Sequence, residues 1–115
     1  MQVIEKPWGK EEVLEVNGRY MMKRLMMLKG HRCSLQYHIT KHETVYVLSG
    51  KLRILFGQAV GELEGRIFGP GEFITITPGM VHRMEAPEDC VYVEASTPEL
   101  DDVVRVSDDY QRVGK

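Results

Sequence analysis

Short stretches of alternating apolar and polar residues dominate this chain and limit what it can fold into. A two-residue period is typical of strands, and we predict nine of them, at 12–16, 20–28, 33–39, 43–48, 51–56, 66–68, 72–77, 81–85 and 91–95. Glycine and proline turn signals separate them at 17–18, 29–30, 49–50, 69–71 and 78–79. Regularly spaced short strands without a long amphipathic helix predict an all-β sandwich or barrel.

Two of these turns have the sequence of tight hairpins. Asn17-Gly18 and Ser49-Gly50 are each expected to join two paired strands. The tail, 98–112, lacks a strong strand pattern, and a short helix or a turn is expected there. A length of 115 residues is enough to bury one hydrophobic core, so residues 1–115 are expected to form a single domain.

The charge balance and the cysteines narrow the function class. Fifteen basic and seventeen acidic residues give a net charge of −2 without a basic block, which argues against nucleic-acid and anionic-membrane partners and favours a small molecule. No apolar run reaches the roughly 20 residues of a membrane helix. Cys33 and Cys90 cannot build a disulfide framework, and Met1 is followed by charged residues rather than a signal region, so a reduced cytoplasm is expected.

A polar motif interrupts the strand pattern. Residues 30–50 have the spacing G-x5-Q-x-H-x4-E-x6-G, which places Gln36 and His38 on one face of a strand and Glu43 at the start of the next. His82 lies near the start of a later strand, after the Pro78-Gly79 turn. Nitrogen and oxygen donors at these four positions predict a site for one borderline divalent ion.

A single histidine in a strand is more often a core residue than a ligand. The shared spacing with Gln36, Glu43 and His82 is what favours the ligand interpretation for His38. His31 and His42 lie near turns and off that alternation, and neither is included in the predicted metal site. Cys33 and Cys90 are interpreted as small core residues, because no suitably spaced histidine would activate them.

One predicted strand carries an unexpected charge. Four methionines lie on the 20–28 strand, where packing in the core or at a subunit interface is expected. Lys23 shares its face with Met21, Leu25 and Met27. Either its stem is buried while the ammonium reaches water, or it donates hydrogen bonds to a phosphate or hydroxyl group in a pocket.

Both motif blocks resemble those of the cupin superfamily, whose members fold as a jelly-roll barrel, the double-stranded β-helix. The chain is most similar to the cupin domain of type II mannose-6-phosphate isomerases, which also occurs fused behind sugar-nucleotide transferases. Residues that carry this resemblance are Lys6-Pro7-Trp8-Gly9, Lys23-Arg24, Lys29-Gly30, Ser34-Leu35-Gln36-Tyr37-His38, Glu43, Val47, Ser49-Gly50, Pro78, His82-Arg83, Glu94, Asp101-Asp102-Val103-Val104-Arg105 and Asp108-Asp109-Tyr110-Gln111-Arg112.

The resemblance implies a function. It makes Gln36, His38, Glu43 and His82 the metal ligands, with zinc preferred and iron, cobalt, nickel or manganese as alternatives. The implied reaction is aldose-ketose isomerisation of a sugar phosphate, most simply mannose 6-phosphate to fructose 6-phosphate. Glu43 is expected to be a ligand rather than the base, which stays unassigned.

Cationic residues are the expected contacts of the substrate phosphate. Lys23, Arg105 and Arg112 are the candidate catalytic residues, because arginine binds phosphate with a planar fork and the tail around Arg105 and Arg112 matches the family. Arg83 points away from the ligand face and is expected to be structural. A homodimer is expected, because small jelly rolls leave sheet edges and an apolar face to cover.

Departures from the family pattern leave two alternatives open. The chain has His38-Ile39-Thr40-Lys41 in place of a run of histidines followed by arginine, Thr44-Val45 in place of His-Trp, and a shorter segment at 95–100. One alternative is a non-catalytic cupin that binds a sugar or sugar nucleotide. The other is a small metal-dependent oxygenase, which the glutamine in place of a histidine makes less attractive.

Overall fold

Eleven strands form two antiparallel sheets in this computed structural model, which describes residues 1–99 and 101–109. In chain order the strands are β1 Gln2–Lys6, β2 Gly9–Val16, β3 Met21–Met27, β4 Leu35–Tyr37, β5 Glu43–Ser49, β6 Leu52–Gly57, β7 Glu64–Phe68, β8 Phe73–Ile76, β9 Val81–Glu85, β10 Cys90–Ser96 and β11 Val104–Ser107. All nine predicted strands are present. β1 and β11 were not predicted.

The two sheets lie face to face as a jelly roll. One sheet has the order β1-β2-β3-β10-β5-β8 and the other the order β11-β4-β9-β6-β7. From β4 onward the chain alternates between the sheets, apart from the β6–β7 hairpin. This confirms the predicted all-β cupin architecture.

Alternation along β3 shows how the sequence sets the inner face. Met21, Lys23, Leu25 and Met27 are all buried, whereas Met22 on the opposite face is 39 % exposed. The inward apolar side chains of both sheets pack into one core, which removes them from water and supplies the main stabilising free energy. Its members include Trp8, Leu25, Val45, Val47, Leu52, Ile54, Phe68, Ile76, Met84 and Tyr92.

One of the two predicted hairpins is wrong. Asn17-Gly18 does join the paired strands β2 and β3, and Asn17 Oδ1 accepts hydrogen bonds from the amides of Arg19 and Tyr20. Ser49-Gly50 instead carries the chain from β5 in one sheet to β6 in the other. Gly50 has φ +73°, and a Cβ there would lie 2.1 Å from the carbonyl oxygen of Asp89. The glycine is therefore required by a tight crossing and not by a hairpin.

The tail contains turns and a strand. Asp101 and Asp109 lie in turns on either side of β11, so the turn alternative is the one observed over the described part of the tail. The helical segment found elsewhere is one 3-10 turn, Val60–Glu62. In residues 1–99 and 101–109, no helix is long and apolar enough to cross a bilayer.

Candidate metal centre

Three buried side chains converge between the sheets. His38 follows β4, Glu43 begins β5 and His82 lies near the start of β9. His38 Nε2 is 3.1 Å and His82 Nε2 is 3.4 Å from the same oxygen of Glu43, Oε1. Their ligand atoms all lie within 4.8 Å of one another, and the three residues are 2 %, 4 % and 0 % exposed in chain order. Within the described residues this is the one cluster of His, Cys, Asp and Glu that could hold a metal ion.

Backbone carbonyls fix the orientation of both imidazoles. His38 Nδ1 donates to the carbonyl oxygen of Asp102, and His82 Nδ1 donates to that of Met80 at 2.9 Å. A carbonyl oxygen can only accept, so each Nδ1 carries the hydrogen. In the neutral ring the lone pair is then on Nε2, which is the atom that faces Glu43. Such a carbonyl partner is the usual support of a metal-bound histidine.

This arrangement fits a cation. A carboxylate oxygen and two imidazole lone pairs repel one another unless a proton or a metal ion lies between them. His82 Nε2 is buried and has no hydrogen-bond partner among the residues that the structure describes. An orphaned buried nitrogen costs free energy, and metal coordination would recover it. The donor set of two nitrogens and one oxygen suits zinc and related divalent ions.

Glu43 is held in its charged form. Burial alone would raise the pKa of its carboxyl group, but hydrogen bonds from His38 and His82, when a proton lies on each Nε2, and the positive charges of His82 and Lys41 outweigh that effect and lower the pKa. A metal ion in place of those protons would act in the same direction. Lys41 Nζ lies 4.0 Å from Glu43 Oε2. The centre thus contains a carboxylate ready to bind a cation.

Gln36 lies beside these three residues. It is paired with His82 between β4 and β9, so the two side chains share the inner face. Gln36 Oε1 accepts a hydrogen bond from Ser34 Oγ at 2.6 Å. An amide oxygen has a second lone pair that can still coordinate an ion. Its place as the fourth ligand stays a prediction.

Asp102 connects the tail to the ligand loop. Its carboxylate accepts hydrogen bonds from the backbone amides of Ile39, Thr40 and Lys41, at 2.7 to 2.9 Å. Burial acts to raise the pKa of Asp102, but these three hydrogen bonds lower it overall. One residue of the tail therefore holds both the backbone after His38 and, through its carbonyl, the His38 ring.

A cavity of about 770 Å³ opens beside the metal centre. This volume is in the range of pockets that hold small molecules. Charged and polar residues in its wall include Glu11, Lys23, Gln36, His38, Lys41, Glu43, Glu94, Asp102 and Arg105.

Lys23 does not extend its ammonium into bulk water. The residue is 8 % exposed, and Nζ is 3.2 Å from Oε2 of Glu11. Burial alone would lower the pKa of Lys23, but the negative charges of Glu11 and Glu94 outweigh it and raise the pKa. Of the two interpretations from sequence, the structure contradicts the water-reaching lysine. A role for Lys23 in binding substrate stays a prediction.

Arg105 faces the same cavity from the other sheet. It is paired with Gln36 between β11 and β4, and it lines the cavity. Its Nε is buried without a hydrogen-bond partner in the described part of the chain. A guanidinium group at a cavity wall is suited to an anion. Arg112, the third predicted catalytic residue, lies outside the described residues.

Five residues were left out of the predicted site. His31 and His42 are not part of the metal cluster. Arg83 donates from Nε to the carbonyl oxygen of Cys33 at 2.8 Å, which is a structural contact. Burial raises the pKa of the Cys33 thiol to about 12 and that of Cys90 to about 11, so neither is a ready nucleophile.

Four charged residues of the site received no role from the sequence. Glu11 and Glu94 lie on inward positions of β2 and β10, so strand alternation contained a signal for them. Lys41 and Asp102 lie in loops, where no period exists to identify them. Only the pairing of distant segments brings them to the cavity.

Comparison with known proteins identifies the family. The family described as mannose-6-phosphate isomerase C-terminal matches residues 1–108. Mannose-1-phosphate guanylyltransferase ManC of Salmonella typhimurium is 34 % identical over 115 aligned positions, which cover 96 % of this chain and 23 % of that protein. The mannose-1-phosphate guanylyltransferase of Escherichia coli K12 is 32 % identical with the same coverage. The chain thus spans about a quarter of the length of these curated relatives.

Solved structures support the fold. The capsular polysaccharide assembling protein CapF from Staphylococcus aureus superimposes with a TM-score of 0.79 at 20 % identity, over 92 % of this chain and 31 % of that one. At this identity the similarity concerns the fold alone. With the family match over nearly the whole length, the chain belongs to the mannose-6-phosphate isomerase C-terminal family of cupins.

Proposed function

We propose that this chain is a metal-dependent sugar-phosphate isomerase that interconverts mannose 6-phosphate and fructose 6-phosphate. The observation that carries the proposal is the meeting of two imidazole Nε2 atoms and the Glu43 carboxylate beside a cavity with cationic walls. Membership of the family supports the same sugar chemistry. The guanylyltransferase names of the relatives describe much longer proteins, of which this chain matches 23 %.

His38, Glu43 and His82, with Gln36 beside them, would hold the ion, and zinc is the expected one. A bound divalent ion supplies Lewis acidity, which polarises a carbonyl and stabilises negative charge on its oxygen. Buried ligands keep the surroundings of that charge poor in water, so electrostatic stabilisation is stronger there than in bulk solvent.

Cations of the wall would bind the phosphate and orient the sugar. Arg105 would contribute its guanidinium charge from one sheet, and Lys23 and Lys41 would add ammonium charge from the facing sheet and the ligand loop. Arginine and lysine both suit a phosphate dianion. A phosphate held at one end of the cavity would fix the reacting carbons near the metal centre, which lowers the entropic cost of reaction.

A coupled assay tests the proposal. The zinc-loaded chain is expected to contain one ion and to form fructose 6-phosphate from mannose 6-phosphate. A Gln36→Ala, His38→Ala double variant should lose both the ion and the activity, whereas His42→Ala, at an exposed histidine, should keep both. Absence of turnover on every hexose phosphate, with the ion bound, would refute the isomerase. Tight binding of a sugar recovered unchanged would then favour the non-catalytic cupin.

The donor set supports one other candidate. Two histidines and a carboxylate also form the iron site of many non-haem oxygenases. Oxygen consumption by the iron-loaded protein with a phenol or thiol, in place of isomerisation, would favour that candidate.

Three further proposals concern the protein as a whole: that it is one domain, that it forms a homodimer and that it is cytoplasmic. Residues 1–115 would form one cupin domain that assembles as a homodimer through the outer face of the six-stranded sheet, where Met22, Tyr46 and Phe73 are exposed. A cytoplasmic location agrees with Cys33 and Cys90, which are both free thiols.

A further inference from the structure

One carboxylate of the cavity, that of Glu94, has no hydrogen-bond or ion-pair partner among the residues that the structure describes. Glu94 lies on the inner face of β10, paired with Lys23 of β3 and with Val45 of β5. It is half-buried and lines the cavity. No hydrogen bond or ion pair holds its side chain in the described residues.

Three other carboxylates of the same wall are already engaged. Glu11 pairs with Lys23 at 3.2 Å, Glu43 faces the two imidazoles, and Asp102 caps three backbone amides. The remaining one, Asp101, is exposed to solvent. Glu94 is therefore the inward-facing carboxylate of the described wall that can exchange a proton without breaking a hydrogen bond or ion pair of the fold. A structural acid on an inner sheet face would instead be expected to have a partner.

We propose that Glu94 is the catalytic base of the isomerisation, which takes the proton from C2 of the open-chain sugar phosphate and returns it to C1. This rests on the proposed isomerase function. In the forward step the C2–H bond breaks, its electrons form the C1–C2 double bond, and the carbonyl oxygen gains the negative charge. The protonated Glu94 then delivers the hydrogen to C1 while the hydroxyl proton on O2 passes to O1. Atoms and electrons balance without a further reactant.

The charges that face Glu94 suit this role. Burial, followed by the negative charge of Glu43, raises the pKa of Glu94 to about 8, although the ammonium groups of Lys23 and Lys41 act to lower it. Glu11 of β2 also acts to raise it. A group whose pKa lies near neutrality can both accept and return a proton during turnover. Glu11, Glu43 and Asp102 are engaged in contacts of the fold and Asp101 is exposed, so among the carboxylates of the described wall this environment is specific to Glu94.

The test compares Glu94→Gln with Glu64→Gln, the same change at an exposed position of β7. Zinc content, kcat, KM and exchange of the C2 hydrogen of mannose 6-phosphate with solvent deuterium are measured for both and for the wild type. Glu94→Gln should keep its zinc and its KM within about twofold and lose kcat by about 10²- to 10⁴-fold, the usual contribution of a general base. Its deuterium exchange should fall in parallel, and Glu64→Gln should behave as the wild type.

Two results would overturn the inference, and only one of them would also overturn the proposed isomerase function. A Glu94→Gln variant that isomerises at more than a tenth of the wild-type rate removes the role of Glu94 and leaves the isomerase standing. A wild type that turns over no hexose phosphate removes the proposed function and this inference with it. If Glu94→Gln does not fold, Glu94→Asp and Glu94→Asn replace it. Only aspartate can transfer a proton, so equal rates in that pair would also refute the proposal.

Discussion

The space between the sheets is polar toward one end and apolar toward the other. Along β5 the inward residues are Glu43, Val45 and Val47 in chain order, and along β10, which runs the opposite way, they are Cys90, Tyr92 and Glu94. Strand pairing places Glu94 beside Lys23, Tyr92 beside Leu25 and Cys90 beside Met27. We call the group of Lys23, Glu43, His82 and Glu94 the polar half, and the group of Leu25, Val47, Leu52 and Ile54 the apolar half.

The two halves serve different purposes: the apolar half stabilises the fold, and the polar half holds the groups that could do chemistry. Apolar side chains in the apolar half are removed from water without leaving a polar atom unpaired, so they stabilise the fold. Buried charges in the polar half cost desolvation energy, which is why they occur in mutually compensating groups. The strands β3, β5 and β10 thus each have inward polar and inward apolar residues, so the character of the inner face changes within one strand. Substitutions in the two halves should therefore have separable effects.

The largest expected effect is loss of the ion from the polar half. His82→Leu replaces a buried imidazole with an apolar side chain of similar size and removes the unpaired Nε2. Affinity for zinc should fall by far more than the ~100-fold that loss of an outer partner of a ligand costs. Zinc titration of the ion-free protein measures this, with His42→Leu as the control. Retention of one tightly bound ion per chain in His82→Leu would contradict the assignment of the centre.

Truncating a core side chain should lower the free energy of unfolding and leave zinc affinity unchanged. Ile54 is 0 % exposed and pairs with Met84 across β6 and β9, so Ile54→Ala should lower the free energy of unfolding by about 2–5 kcal/mol. Ile67→Ala, at a residue 51 % exposed on the neighbouring β7, should change it by no more than about 0.5 kcal/mol. Urea denaturation of the ion-free protein gives both values. Zinc affinity of folded Ile54→Ala should match the wild type, and a large loss of it would show that the two halves are coupled.

Most of the fold followed from local alternation in the sequence, and the exceptions have physical causes. The two strands that were not predicted, β1 and β11, each lie at the edge of a sheet and pair with one neighbour. No residue of β1 or β11 is buried, whereas the edge strands that were predicted, β7 and β8, end in the buried residues Phe68 and Ile76. Without a buried apolar position, a short edge strand has little in its sequence to mark it. Ser49-Gly50 has the local chemistry of a turn, but local chemistry does not determine which sheet the next strand joins. That choice depends on the packing of the whole chain.

The site could be predicted only as far as local spacing reaches. His38 and Glu43 are five residues apart in a recognisable motif, and His82 follows a turn signal, so the sequence identified the three converging residues. Glu94 and Asp102 gain their positions from pairing with segments about 50 to 70 residues away in the chain. Strand alternation signals that Glu94 points inward, but neither a period nor a motif reports which distant residues Glu94 and Asp102 approach, so their contacts were missed.

Asp102 gives the smallest and most specific of the expected effects. Its carboxylate holds the loop of Ile39, Thr40 and Lys41 in place after His38, and no atom of that carboxylate belongs to the cluster of ligand atoms. Asp102→Ala keeps the backbone carbonyl that accepts from His38 Nδ1 but releases the loop. Zinc affinity should fall by about 10- to 100-fold, the range for outer partners of metal ligands, which corresponds to about 1.4–2.8 kcal/mol.

The neighbouring Asp101→Ala is the matched control: Asp101 lines the same cavity but is exposed, and within the described residues only its backbone carbonyl accepts a hydrogen bond, from the amide of Val103. Competition with a chelator of known zinc affinity would measure both variants. If zinc affinity falls by the same small factor in both variants, the tail covers the cavity without orienting a ligand. A loss confined to Asp102→Ala would show that the polar half is completed from outside its own strands, by a loop whose hydrogen bonds orient a ligand.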